Sequence, residues 1–136
     1  MDDVNRGKIN NRERAKQLID FSGLRYENIT PTDIDGLIEY KNKLYIWIET
    51  KLDNAELPAG QRLAFERVCD DLQKTGKPTL FIIAMHHNGN CNEDIKADET
   101  EVREYRSNYE WRKWEKKITT KKLIDAFIKK YSGGNK

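Results

Sequence analysis

The chain has 136 residues, 35% of them charged, with a formal net charge of +2 and a mean hydropathy of -0.91. That length fits one domain with a single core. No apolar run approaches the ~20 residues that span a bilayer, and 1–6 lack the apolar stretch of a secretory signal, so a soluble, cytoplasmic protein is expected.

Residues 10–22 predict a helix, with Ala15, Leu18, Ile19 and Phe21 as its apolar stripe and Gly23 as a stop. Leu24 to Ile29 alternates as a short strand. Two longer strands are expected at about 33–41 and 44–51, joined by the polar Lys41-Asn42-Lys43. Pro58 sits where a first helical turn tolerates proline. Leu63, Ala64, Val68 and Leu72 keep helical spacing up to Gly76. Thr79 to Met85 is apolar on both faces and reads as the central buried strand. The Asn-, Gly- and Asp-rich 88–98 is a loop. Glu101 to Trp114 alternates about Ser107-Asn108 as a hairpin. Thr119 or Thr120 caps a last helix with Leu123, Ile124, Phe127 and Ile128 on one face, and 132–136 form a polar tail.

The chemistry concentrates on Asp35 and on Glu49-Thr50-Lys51. With a three-residue loop, Tyr40 faces Leu44, and counting back sets Asp35 opposite Glu49. Opposed residues of an antiparallel pair place their Cβ atoms roughly 4.5–5.5 Å apart on one face. Glu49 and Lys51 share that face because strand side chains alternate. A two-residue turn would send Asp35 to the other face. Two carboxylates can hold a hard divalent cation, and an adjacent lysine can polarise a water, the apparatus of metal-assisted phosphodiester hydrolysis.

Other charged groups compete for these roles. Asp33 shares the parity of Asp35 but suits a strand end better. Glu39 reads as a surface acid paired with a turn lysine. His86-His87 lacks partners at ligand spacing and reads as a strand end. Cys69 and Cys91, without metal-ligand spacing, read as reduced thiols. Trp111 and Trp114, with basic neighbours, could stack on bases, but their spacing suits packing of the C-terminal segment onto the sheet. Lys116, Lys117, Lys121 and Lys122 are candidates for nucleic-acid phosphates, with a solvated helix start as the plainer reading.

The order helix, three strands, helix, strand, with Asp35 and Glu49-Thr50-Lys51 on the second and third strands, resembles the PD-(D/E)XK nuclease superfamily over about 8–87. The resemblance implies an α/β fold with a restriction-endonuclease-like core, a mixed sheet flanked by helices, and a C-terminal elaboration over 88–131 made of a hairpin and a helix. It implies that Asp35 and Glu49 bind Mg2+, with Mn2+ as a substitute, that the Thr50 carbonyl completes the metal shell, and that Lys51 is catalytic. Glu13 on the first helix is the candidate additional acid, and Gln61 is the candidate polar residue after the motif. Ile34 stands where many relatives have proline. Ala64 stands three after Gln61, so the Gln-x-x-Tyr signature of RecB-like nucleases is absent. The implied function is a Mg2+-dependent deoxyribonuclease, a small phage-type or resolvase-like endonuclease acting on DNA. The alternatives are a Holliday-junction resolvase working as a homodimer and a non-catalytic nucleic-acid-binding module on the same fold.

Overall fold

The structure, a computed structural model, describes residues 18–90 and 92–133. The chain divides into two compact units, 1–31 and 32–136.

In the first unit, the helix expected over 10–22 falls partly on 10–17, outside the described residues. Residues 18–22 carry no helix. Leu18 is 94% exposed, so the stripe that packing would stabilise is not buried there. The Asp20 carboxylate accepts from the Ser22 amide at 2.9 Å, a local bond that competes with helical pairing. The expected strand over 24–29 is instead a tight turn. The amide of Tyr26 donates to the Ile29 carbonyl at 2.8 Å and the reverse bond is 3.0 Å. Glu27 takes φ +61° between them.

The second unit is built on a five-stranded mixed sheet in the order β1-β2-β3-β4-β5. The strands are β1 Gly36–Tyr40, β2 Leu44–Leu52, β3 Thr79–His86, β4 Glu101–Ser107 and β5 Glu110–Arg112. β2 and β3 are parallel and the other pairs antiparallel. Helix α1, Ala59–Lys74, makes the crossover from β2 to β3, and α2, Thr120–Tyr131, follows the hairpin. Among the described residues, no helix is long and apolar enough to cross a membrane.

Strand alternation divides the core. Leu44, Ile46, Leu80, Ile82, Ala84 and Val102 face α2, which packs Leu123 and Phe127 onto them. Phe81, Ile83 and Trp47 lie on the other face, beneath Phe65 and Cys69 of α1. The Thr119 hydroxyl caps α2 by accepting from the Lys122 amide at 3.2 Å. Thr79 to Ala84 is entirely buried, as a central strand requires.

Two expectations are corrected on α1. Leu63 and Val68 are exposed, at 42% and 45%, and Phe65 and Cys69 are buried instead. Phe65 stacks on Phe81 with ring centroids 4.2 Å apart. Beside that narrow apolar stripe, charged residues also turn inward. Arg62 holds Glu104 of β4 in a two-pronged ion pair, at 2.5 and 3.1 Å. Arg106 holds Asp70 at 2.9 and 2.7 Å. The Trp111 indole donates to Glu66 at 2.6 Å and lies under the Arg62 guanidinium, 4.2 Å from the ring centroid.

Candidate metal centre

The turn Lys41-Asn42-Lys43 sets the register around the candidate centre. Lys41 and Asn42 take φ +49° and +62°, and Glu39 accepts from the Asn42 amide at 2.6 Å. Glu39 therefore braces the turn through a backbone amide, where a lysine partner was expected. Tyr40 pairs with Leu44 and Gly36 with Ile48, the register expected of a three-residue loop. β1 begins at Gly36, not 33, because the chain bends at Asp35. Ile34 packs beside Phe65 and Phe81 on the α1 side.

Asp35 is exposed at this bend. Its Oδ2 accepts from the Thr50 amide at 2.7 Å and from the Thr50 hydroxyl at 2.8 Å. Asp35 thus takes over the ladder acceptor that the missing start of β1 would supply, and Oδ1 stays outside these bonds. The sequence reading did not foresee Thr50 in this role.

Glu49 lies on the same face as Trp47 and is 5% exposed. Its Oε2 is 3.4 Å from Lys51 Nζ. Its Oε1 is buried without a hydrogen-bond partner among the described residues. Such an orphaned acceptor costs about 1–3 kcal/mol. Burial pushes the Glu49 carboxyl above its ordinary range, and the Asp35 charge pushes the same way. Lys51 and the Asp35 amide offset part of this. A buried, partnerless carboxylate oxygen next to a second carboxylate fits a cation.

Gln61, in the first turn of α1, donates from Nε2 to the Asp33 carbonyl at 3.1 Å. It ties the helix to the segment entering Asp35, and Asp33 contributes its backbone there. Glu13 lies outside the described residues. Among the described residues, no three His, Cys, Asp or Glu side chains form a ready cage, and Asp35 and Glu49 are two acids that act on each other electrostatically at this end of β2.

One neighbour escaped the sequence reading. The β3–β4 register shifts between Ile83 and Ala84, which pair with Glu104 and Val102. Arg103 is the extra residue of this bulge, and its Nη1 donates to the Ala55 carbonyl at 2.7 Å. It thereby fixes the loop that leaves Lys51, and bulges commonly re-aim side chains beside functional sites. Only the charge of Arg103 was visible in sequence, since the bulge has no glycine to announce it.

The remaining candidates lie elsewhere. Lys116 and Lys117 are exposed between β5 and α2. Lys121 and Lys122 start α2, on the sheet face opposite Glu49, and Lys121 is paired with Asp125 at 2.9 Å. His87 contacts Asp53 at 2.6 Å and His86 accepts from the Asn88 amide at 3.2 Å, both at the end of β3. Comparison with known protein families, curated proteins and solved structures finds no match.

Proposed function

We propose that this chain is a divalent-metal-dependent endonuclease that hydrolyses DNA phosphodiester bonds on a PD-(D/E)XK-like core. The observation that carries the reading is the approach of the Asp35 and Glu49 carboxylates just beyond the Gly36–Ile48 end of the β1–β2 register. The turn register brings them together, Glu49 keeps a buried partnerless oxygen, and Lys51 stands 3.4 Å away.

Asp35, Glu49 and the Thr50 carbonyl are the groups that would hold Mg2+ or Mn2+. Such an ion, when bound, polarises a phosphate and lowers the pKa of a coordinated water. The chain's own residues do the rest. Thr50 fixes the Asp35 carboxylate through two bonds to one oxygen. Lys51, with its side chain 22% exposed, presents a cation where charge grows on the phosphate during attack. Gln61 steadies the Asp33 backbone and so the approach of Asp35. Lys116, Lys117, Lys121 and Lys122 would supply positive charge for backbone phosphates away from the metal centre, the last two from the start of α2 on the opposite face of the sheet, a contact that holds DNA without reading its sequence.

Incubation with linear, circular, single-stranded and four-way-junction DNA, in Mg2+, Mn2+ or EDTA, tests the reading. Metal-dependent cleavage that Asp35→Ala and Glu49→Ala abolish is the expected result. Cleavage confined to junctions, by a dimer, would make it a resolvase. Binding without cleavage in any metal would make it a nucleic-acid-binding module.

A further inference from the structure

On the face of the sheet opposite Glu49, a cavity of about 260 Å³ opens between α2 and the β4–β5 hairpin. Its floor is apolar, made by Leu80, Leu123 and Phe127. Its wall is aromatic. Tyr105 and Trp114 approach with ring centroids 5.8 Å apart at 49°, and Trp114 remains 45% exposed. Its rim is cationic and polar, with Arg112, Lys130 and Asn108. Among the described residues, no acid lines this cavity. Glu110 contacts Arg112 from outside it. The groove continues past Trp114 to Lys113 and Lys116, with Glu115 at that outer end.

Each wall asks for a different part of one ligand. An exposed indole beside an apolar floor offers a stacking surface to a flat ring. Arg112 and Lys130 at the rim ask for an anion, and the Asn108 amide can meet polar ring edges. Tyr131 reports the same potential. Burial pushes its phenol up, yet the Asn108 bond and the charges of Lys130 and Arg112 outweigh this and hold it below the ordinary range.

We infer that this groove binds a nucleobase with its attached phosphate, the ring on Trp114 and the phosphate between Arg112 and Lys130. A free nucleotide and an unpaired nucleotide of a DNA strand both carry that chemistry. The inference does not depend on the metal centre, because the two lie on opposite faces of the sheet.

The test is done in EDTA, where metal-dependent cleavage plays no part. Fluorescence anisotropy follows a labelled octathymidylate, and isothermal titration calorimetry follows dAMP, with inorganic phosphate and a blunt duplex as competitors. Binding of dAMP alone identifies a free nucleotide as the ligand, and binding of the oligonucleotide identifies an unpaired strand. In either case, Trp114→Ala should weaken binding about tenfold, the loss expected of one stacked base, while Trp114→Phe keeps most of it. Lys130→Ala, at an exposed position, should reduce the slope of log K against log salt for the oligonucleotide by about 0.7. Absence of binding by both ligands overturns the inference. So does competition by inorganic phosphate equal to that by dAMP, or wild-type affinity in both Trp114→Ala and Lys130→Ala. Equal loss in Trp114→Ala and Trp114→Phe also overturns it, because stacking survives the second change.

Discussion

Replacing Glu49 with glutamine separates the burden this residue places on the metal-free fold from the use the proposed metal centre would make of it. Without metal, Glu49 is a buried acid whose pKa is raised above the ordinary 4.5 by burial and by Asp35. Just above pH 4.5 the native protein therefore holds a proton that the unfolded chain has lost. Stability falls as pH rises through that window, and the full penalty persists at neutral pH. Glu49→Gln should remove this fall and raise the neutral-pH melting temperature in EDTA. If the proposed centre binds Mg2+, the order should reverse in its presence. Metal at a hundredfold excess over its Kd adds about 2.7 kcal/mol to the native state. At an unfolding entropy of about 2.1 cal/mol/K per residue, a 136-residue chain should gain roughly 9 °C. Calorimetric scans at matched ionic strength, in EDTA and in Mg2+, read both effects. The wild type should show the metal-linked rise, larger at pH 8 than at pH 5 because protons compete for Glu49. The variant should show a shift near zero. Equal rises in both proteins, or a higher EDTA stability in the wild type, would refute the reasoning.

Lys51→Ala should cut DNA cleavage strongly while leaving the Mg2+-linked thermal rise intact; loss of rate and DNA affinity in equal proportion would make Lys51 a docking residue. Arg106→Ala should cost about 3 kcal/mol in urea unfolding, because it leaves Asp70 and Glu66 without their cation, and a loss under ~0.5 kcal/mol would show the network to be inessential. Cys69 is buried and its thiol is pushed up to about 12, chiefly by burial, so peptide mapping should find it unlabelled by iodoacetamide in the native protein and labelled in urea. Neutralising Lys116, Lys117, Lys121 and Lys122 together should weaken duplex binding and flatten its salt dependence, each lost phosphate contact reducing the slope by roughly 0.9. Unchanged binding at every salt concentration would confine these lysines to solvating the helix start.

The paired strands were legible because their signals are local. A polar three-residue loop between alternating apolar runs fixes one register, and that register puts Asp35 near Glu49. The central strand and the Thr119 cap were visible for the same reason. The inward face of α1 was not, because its partners come from β4. Arg62, Glu66 and Asp70 repeat every four residues like a solvated stripe, and only Glu104 and Arg106, some forty positions away, turn that stripe inward. In hindsight, alternating charges in a strand, matched to charges at four-residue spacing in a helix, are the available signal. The strand expected at 24–29 failed for the opposite reason. Its alternation is real, but Tyr26 and Ile29 are both 67% exposed, and alternation without a face to bury does not hold a strand.

The proposed function stands or falls on whether Asp35 and Glu49 would hold a divalent ion that assists DNA hydrolysis. Its most direct measurement is cleavage of supercoiled plasmid by purified wild type, Asp35→Ala, Glu49→Ala and Lys51→Ala proteins, in Mg2+ and in EDTA. The wild type should nick or linearise the plasmid in Mg2+ alone, Asp35→Ala and Glu49→Ala should give nothing above background, and Lys51→Ala should be strongly slowed, with all three variants folded by circular dichroism. Cleavage that persists in EDTA, or that survives in Asp35→Ala and Glu49→Ala at saturating Mg2+, would contradict it.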